Sequence, residues 1–175
     1  LDTSNPAEPT TISSYRSDVT ILDIALHENK LFALTQNEIQ IIDFSAVTPQ
    51  LSNEGLDFGQ GVNLGGESRV FIDNKRAYVD DWLSGIHIYD LSRPRQPELL
   101  SSFHTPGSPK GIVVRDGVAF IADDDHGLQI VDVSDPINPK QISTLLTQGL
   151  AYTPRLLGDL LYLASHRGGF QIIDV

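Results

Sequence analysis

Three features of the sequence predict an all-β fold, a β-propeller of four four-stranded blades: one pattern occurring four times at a near-constant interval, a turn signal at a fixed place in each copy, and short apolar runs without helical spacing. The pattern is apolar, polar ring or amide, Ile, apolar, Asp. It reads Ile39-Gln40-Ile41-Ile42-Asp43, Ile86-His87-Ile88-Tyr89-Asp90, Leu128-Gln129-Ile130-Val131-Asp132 and Phe170-Gln171-Ile172-Ile173-Asp174, with the aspartates 47, 42 and 42 residues apart.

About a dozen residues upstream, Phe32, Tyr78, Phe120 and Tyr162 keep the same register, each within a β-branched or aromatic run. Just before each stands a turn pair, Glu28-Asn29, Asp73-Asn74, Asp116-Gly117 or Gly158-Asp159. Such pairs tolerate the positive φ of tight hairpins, so each unit opens with two strands, A and B. The conserved pattern is strand C. Arg93-Pro94-Arg95-Gln96-Pro97 and Asp135-Pro136-Ile137-Asn138-Pro139 then lead into apolar-containing runs at 99–103 and 141–145. Proline cannot donate to a ladder, so these segments connect C to an outer strand D. Strands that are apolar nearly throughout, such as 128–133, belong to sheets covered on both faces, and stacking blades around an axis achieves that cover.

The repeats fall at about 19–58, 59–105, 106–148 and 149–175 within a single domain, 1–175, preceded by an N-terminal strand in 1–18. Leu1-Asp2-Thr3-Ser4-Asn5-Pro6-Ala7-Glu8-Pro9 and the run 12–15 match Val131 to Pro139 and the strand after it, a strand D lacking its A, B and C. The last repeat stops after strand C, at Asp174-Val175. The N-terminal strand is therefore expected to complete the last blade, because an open array leaves bare strand edges. A start inside the motif is also what a piece of a longer array shows. Two chains completing a larger ring, or joining head to tail, are the alternatives.

A net charge of −11 and no basic stripe argue against nucleic acid as a partner. No apolar run is long enough to span a bilayer, so membrane insertion is not expected, and no N-terminal signal pattern is present. The absence of cysteine removes disulfides, zinc–thiolate sites and thiol catalysis.

Gly127-Leu128-Gln129-Ile130-Val131-Asp132-Val133-Ser134-Asp135-Pro136-Ile137-Asn138-Pro139 resembles the LVIVD repeat family, and the likeness extends over essentially the whole chain. It is weakest in the first repeat, where Phe44-Ser45-Ala46-Val47-Thr48-Pro49 lacks the paired prolines. The resemblance implies a propeller-like repeat fold and an exported location, extracellular, at the cell surface or periplasmic. It carries over no catalytic residue.

In the predicted architecture the B–C and D–A loops emerge together at one end. The B–C loops hold Asn37; Asp80, Asp81 and Trp82; Asp123, Asp124, Asp125 and His126; and Ser165, His166 and Arg167. The D–A loops add Lys110 and Tyr152. Asp123, Asp125 and His126 are the metal candidates, with Asp80 and Asp81 approaching from the next blade, because calcium requires several carboxylate oxygens at once. The bland alternative is a solvated hairpin whose aspartates bond their own backbone, and the spacing is not that of an EF-hand. His126 and His166 occupy equivalent loops, a placement open to proton transfer or ligation but equally common for exposed loop histidines. Trp82, the single tryptophan, stands beside two carboxylates, suiting it to stack on a sugar or anchor a protein; otherwise it is a wedge between blades. Asp43, Asp90, Asp132 and Asp174 read as turn formers, three of them with a serine two residues on.

The expected function is a non-enzymatic binding or architectural module of an exported protein. It presents an acidic loop face to a protein or glycan, as a monomer or a ring-completing homo-oligomer, with no cofactor apart from the calcium candidate. A metal-dependent hydrolase using Asp80, Asp81, Asp123, Asp125, His126 and His166 is the alternative.

Overall fold

The computed structural model describes residues 7, 8, 11, 13–43, 50–57, 64, 68–93 and 98–175, with residues 50–57 described by their backbone. The first sheet comprises β1 (Asp23–His27), β2 (Lys30–Leu34), β3 (Glu38–Asp43) and β4 (Gln50–Asp57). The second comprises β5 (Val70–Asp73), β6 (Arg76–Asp81), β7 (Gly85–Asp90) and β8 (Glu98–Phe103). The third comprises β9 (Gly111–Arg115), β10 (Val118–Ala122), β11 (Leu128–Asp132) and β12 (Lys140–Leu145). The fourth comprises β13 (Pro154–Leu157), β14 (Leu160–Ala164) and β15 (Phe170–Asp174). Every sheet is an antiparallel meander in chain order, and the only helix among the described residues is a single 3₁₀ turn, His166–Gly168.

Each sheet opens with a two-residue hairpin where the sequence predicts one. Glu28, Asp116, Gly117 and Gly158 take the positive φ these turns demand. In the second sheet the turn is Asn74-Lys75, at φ 44° and 61°, one residue beyond the expected Asp73-Asn74. Asp73 instead ends β5 paired with Arg76, because Asn and Lys together complete the two positive-φ positions. At the end of strand C, Asp90 accepts the Ser92 N–H and hydroxyl, both at 2.7 Å, and Asp132 accepts those of Ser134 at 2.9 and 2.6 Å. These bonds hold both carboxyls below their ordinary pKa. The outer pairing carries a bulge at one register in three sheets: between Gln40 and Ile42, Ile88 and Tyr89, and Ile130 and Val131.

The core lies between the sheets. Phe32, Leu34, Ile39 and Ile41 of the first pack on Val70, Ile72 and Val79 of the second. Tyr78, Ile86 and Ile88 then meet Ile112, Ala119, Ile121 and Val131 of the third. Phe120, Ala122 and Leu128 in turn meet Leu161 and Leu163 of the fourth. Alternation makes this possible, since Phe120 and Ile121 leave opposite faces of β10 to serve different neighbours. The Arg115 guanidinium adds a polar clasp, donating to the Gly158 carbonyl and, at 2.6 Å, to the Val175 carbonyl. The first strands β1, β5, β9 and β13 meet around one cavity of about 450 Å³.

Among the described residues the fourth sheet has three strands. The expected N-terminal partner falls largely on residues 1–6, 9, 10 and 12, outside the described residues, and 13–18 form no strand. On the face of this sheet turned away from the third, Phe170 is 71% exposed, whereas its register counterpart Leu128 is fully buried. Ile24 and Leu26 of β1 are likewise exposed where their counterparts Val70 and Ile72 are buried.

Ile121 is buried between the second and third sheets, so Ile121→Ala is expected to cost about 2–5 kcal/mol, read from urea denaturation.

Candidate functional site

The B–C hairpins share one construction. Each starts with a buried polar residue at the same register, Thr35, Asp81, Asp123 or Ser165. The Thr35 hydroxyl accepts the Glu38 N–H at 3.1 Å and donates to the Glu38 carbonyl at 2.9 Å. Asp81 accepts the Leu83 N–H at 3.0 Å and the Ser84 hydroxyl at 2.5 Å. Asp123 turns to the preceding D–A loop, where it accepts the Gly107 N–H at 2.9 Å and has the Thr105 hydroxyl beside it. Burial pushes the Asp123 carboxyl above its ordinary pKa against the pull of the Thr105 hydroxyl and the Gly107 N–H. Three hairpins close on a glycine with positive φ, Gly85, Gly127 or Gly169. A Cβ at Gly127 would collide with the Leu145 carbonyl.

Neighbouring loops are tied by backbone bonds. The Leu64 N–H reaches the Gln36 carbonyl at 3.3 Å and the Ala151 N–H reaches the Asp124 carbonyl at 2.7 Å. Pro109, the counterpart of Ala151, has no N–H and cannot supply the matching bond to Trp82.

Asp81 thus supports its own hairpin and Asp123 the preceding D–A loop, and Asp80 lies behind them on β6. Asp80 occupies the register of Leu34, Ala122 and Ala164, is fully buried, and accepts the Arg69 N–H. Its second oxygen has no hydrogen-bond partner. Burial raises its pKa to about 8, with the Arg69 N–H and charge opposing and Asp23 reinforcing the rise. Among the described residues no group of three or more His, Asp or Glu side chains converges as a metal ion requires. Asp125 pairs with its neighbour His126 at 2.7 Å in the open, and Asp124 serves the backbone tie to Ala151.

Several predicted residues do meet the solvent. Trp82 is 46% exposed at its hairpin tip and Leu83 beside it 67%, so the indole is not a wedge between sheets. Tyr152 and His166 come together from a D–A and a B–C loop, their rings stacked with centroids 6.1 Å apart, and Arg167 next to them is exposed. Lys110 is half-buried at the start of β9, where its N–H bonds the Ala122 carbonyl at 2.8 Å.

One cluster was not singled out from the sequence. His87 joins Ser84 at 2.8 Å through Nε2 and Ser102 at 2.9 Å through Nδ1, with Asp81 3.8 Å away. Burial lowers its pKa. The cluster resembles a Ser–His–Asp set, but the Ser84 proton goes to Asp81, so the imidazole does not act as base toward that hydroxyl. Gln129 does the same job in the third sheet, bonding the His126 carbonyl at 2.8 Å and accepting from Thr144 at 2.7 Å. The signal was the polar position inside the strand C pattern, which ties loop to outer strand.

The LVIVD repeat matches residues 65–105 and 106–147, spans that coincide with the second and third sheets, β5–β8 and β9–β12. The chain carries LVIVD repeats. No curated protein matches this LVIVD-repeat chain. Among solved structures it is similar to the computationally designed Ika4 protein, with a TM-score of 0.70 at 9% identity over 96% of this chain and 99% of that one. The designed Ika8 protein gives 0.68 at 10% identity, with 94% of this chain spanning 49% of that one. A functionally unknown protein from Desulfotomaculum acetoxidans gives 0.59 at 11% identity, over 92% and 70% of the two chains. At such identities the LVIVD-repeat chain shares their fold alone.

Asp80 also sets a pH dependence. Ionisation near pH 8 in the folded chain, against an ordinary 3.8, favours unfolding, so its contribution to stability falls as pH rises from about 4 through about 8. Asp80→Asn keeps an oxygen for the Arg69 N–H and is expected to remove that decline, gaining about 1–3 kcal/mol at mildly alkaline pH and little in acid, by urea denaturation at both.

Proposed function

We propose that this chain is a non-enzymatic binding module of an exported, surface-associated protein, presenting the loop end of its sheets to a protein or glycan. One observation carries the reading: Trp82 and Leu83 stand exposed at a hairpin tip held from behind by Asp81. An indole face with polar neighbours stacks on a sugar ring or fills a partner's pocket. Asp125, His126, His166 and Arg167, all solvent-accessible on equivalent loops, supply hydrogen-bonding groups at the same end of the sheets. The reading requires no cofactor and no nucleic acid, and exported location is supported by the likeness to LVIVD repeats. Trp82→Ala is expected to abolish binding on a glycan and protein array while leaving the melting temperature unchanged; retention of all binding by the variant rejects Trp82 as the anchor.

The same proposal includes a four-bladed ring closed within one chain, with the N-terminal segment as the last blade's fourth strand. Its support is the single cavity shared by all four first strands, together with the register match between the bare faces of the first and fourth sheets and the faces buried elsewhere. In a closed ring Phe170→Ala costs about 3–5 kcal/mol, as for a buried aromatic. In an open array the change stays within about 0.5 kcal/mol. Mass measurement in solution separates closure within a monomer from completion by a second copy.

A further inference from the structure

The cavity among the first strands has a layered wall that the register makes explicit. Ile24, Val70, Ile112 and Pro154 hold one level, paired with Ala33, Val79, Ile121 and Leu163. One residue toward the loop end are Asp23, Arg69, Gly111 and Thr153; one residue the other way are Ala25, Phe71, Val113 and Arg155. Nearly all of these line the cavity, and both arginines do. Packing does not demand Arg155, since the other three sheets place Ala, Phe and Val at its level. The two arginines come from the second and fourth sheets, two levels apart, or about 7 Å along a strand.

Among the described residues no carboxylate lies within ion-pairing distance of either guanidinium. Arg155 gives one bond to the Pro154 carbonyl at 2.9 Å, leaving most of its donors unused. The acid at the mouth, Asp23, is engaged by the Val70 N–H at 3.0 Å. Burial holds the carboxyl of Asp80 behind it well above its ordinary pKa. In a chain of net charge −11, this cavity thus gathers two guanidinium groups against one lining carboxylate, Asp23. Its volume of about 450 Å³ falls in the range of small-molecule sites, and Phe71, Ile72 and Ile112 supply an apolar wall.

We propose that the cavity binds a small organic anion, its oxyanion head held by Arg69 and Arg155 and its short apolar body lying against Phe71 and Ile112. Arginine forks match carboxylate and phosphate alike. The site uses residues distinct from the Trp82 tip and stands or falls separately from it.

Calorimetric titration of the full chain with octanoate, octyl phosphate, octanol and octylamine tests this. One equivalent of octanoate or octyl phosphate is expected to bind at least about tenfold more tightly than octanol or octylamine, and whichever anion binds better identifies the head. Arg69→Gln and Arg155→Gln should each weaken the anion by about tenfold with circular dichroism and melting unchanged, whereas Trp82→Ala should leave it unaltered. Equal binding of octanol and octanoate, or wild-type affinity in both arginine variants, overturns the assignment. Should Arg69→Gln fail to fold, the exposed Arg155→Gln alone decides.

Discussion

The structure depends on one constraint: a small sheet whose strands are apolar on both faces has no stable existence alone and must be covered on each side by another. Ile121 and Phe120 illustrate it, since adjacent residues of β10 are buried in different cores with different neighbours. Every contact between sheets repeats this arrangement, so stability is a sum of nearest-neighbour interfaces more than the property of one central core. The bare faces at the two ends of the series are the cost of the same constraint where no neighbour is described.

Polar groups take over where the apolar strands stop. The register of Thr35, Asp81, Asp123 and Ser165 is buried in every sheet yet never apolar, and in the first three sheets it satisfies hairpin or loop N–H groups that no strand can reach. The polar slot of strand C, filled by His87 or Gln129, fastens the same hairpin to the outer strand. With the loops braced in this way, Trp82, His126 and His166 can be exposed without the hairpins being loose.

Much of this was legible in the residues. The recurring Asp of strand C located the turns at Asp90 and Asp132, and Asp116-Gly117 located a hairpin, because both signals are local and depend on side chains bonding their own backbone. The slip at Asn74-Lys75 arose because Asp and Asn are both good turn formers and only the pairing of Asp73 with Arg76 separates them. Asp80, Asp81 and Asp123 read as surface acids because composition does not reveal depth: three aspartates near hairpins look alike until the neighbouring sheet covers two of them completely. The cavity was illegible for a related reason. Arg69 and Arg155 are 86 positions apart and unremarkable singly, and only register brings them to one wall.

The bulge shared by the first three sheets has a geometric consequence. An extra residue on one side of a strand pair sharpens the twist and bends the ribbon. Occurring each time in the outermost pair, it turns the outer strand of these three sheets away from the line of the inner ones. In the closed ring proposed above, outer strands bent in this way would give four units the wide-angled outline a small ring needs; straighter ribbons would need more members and would leave a wider opening.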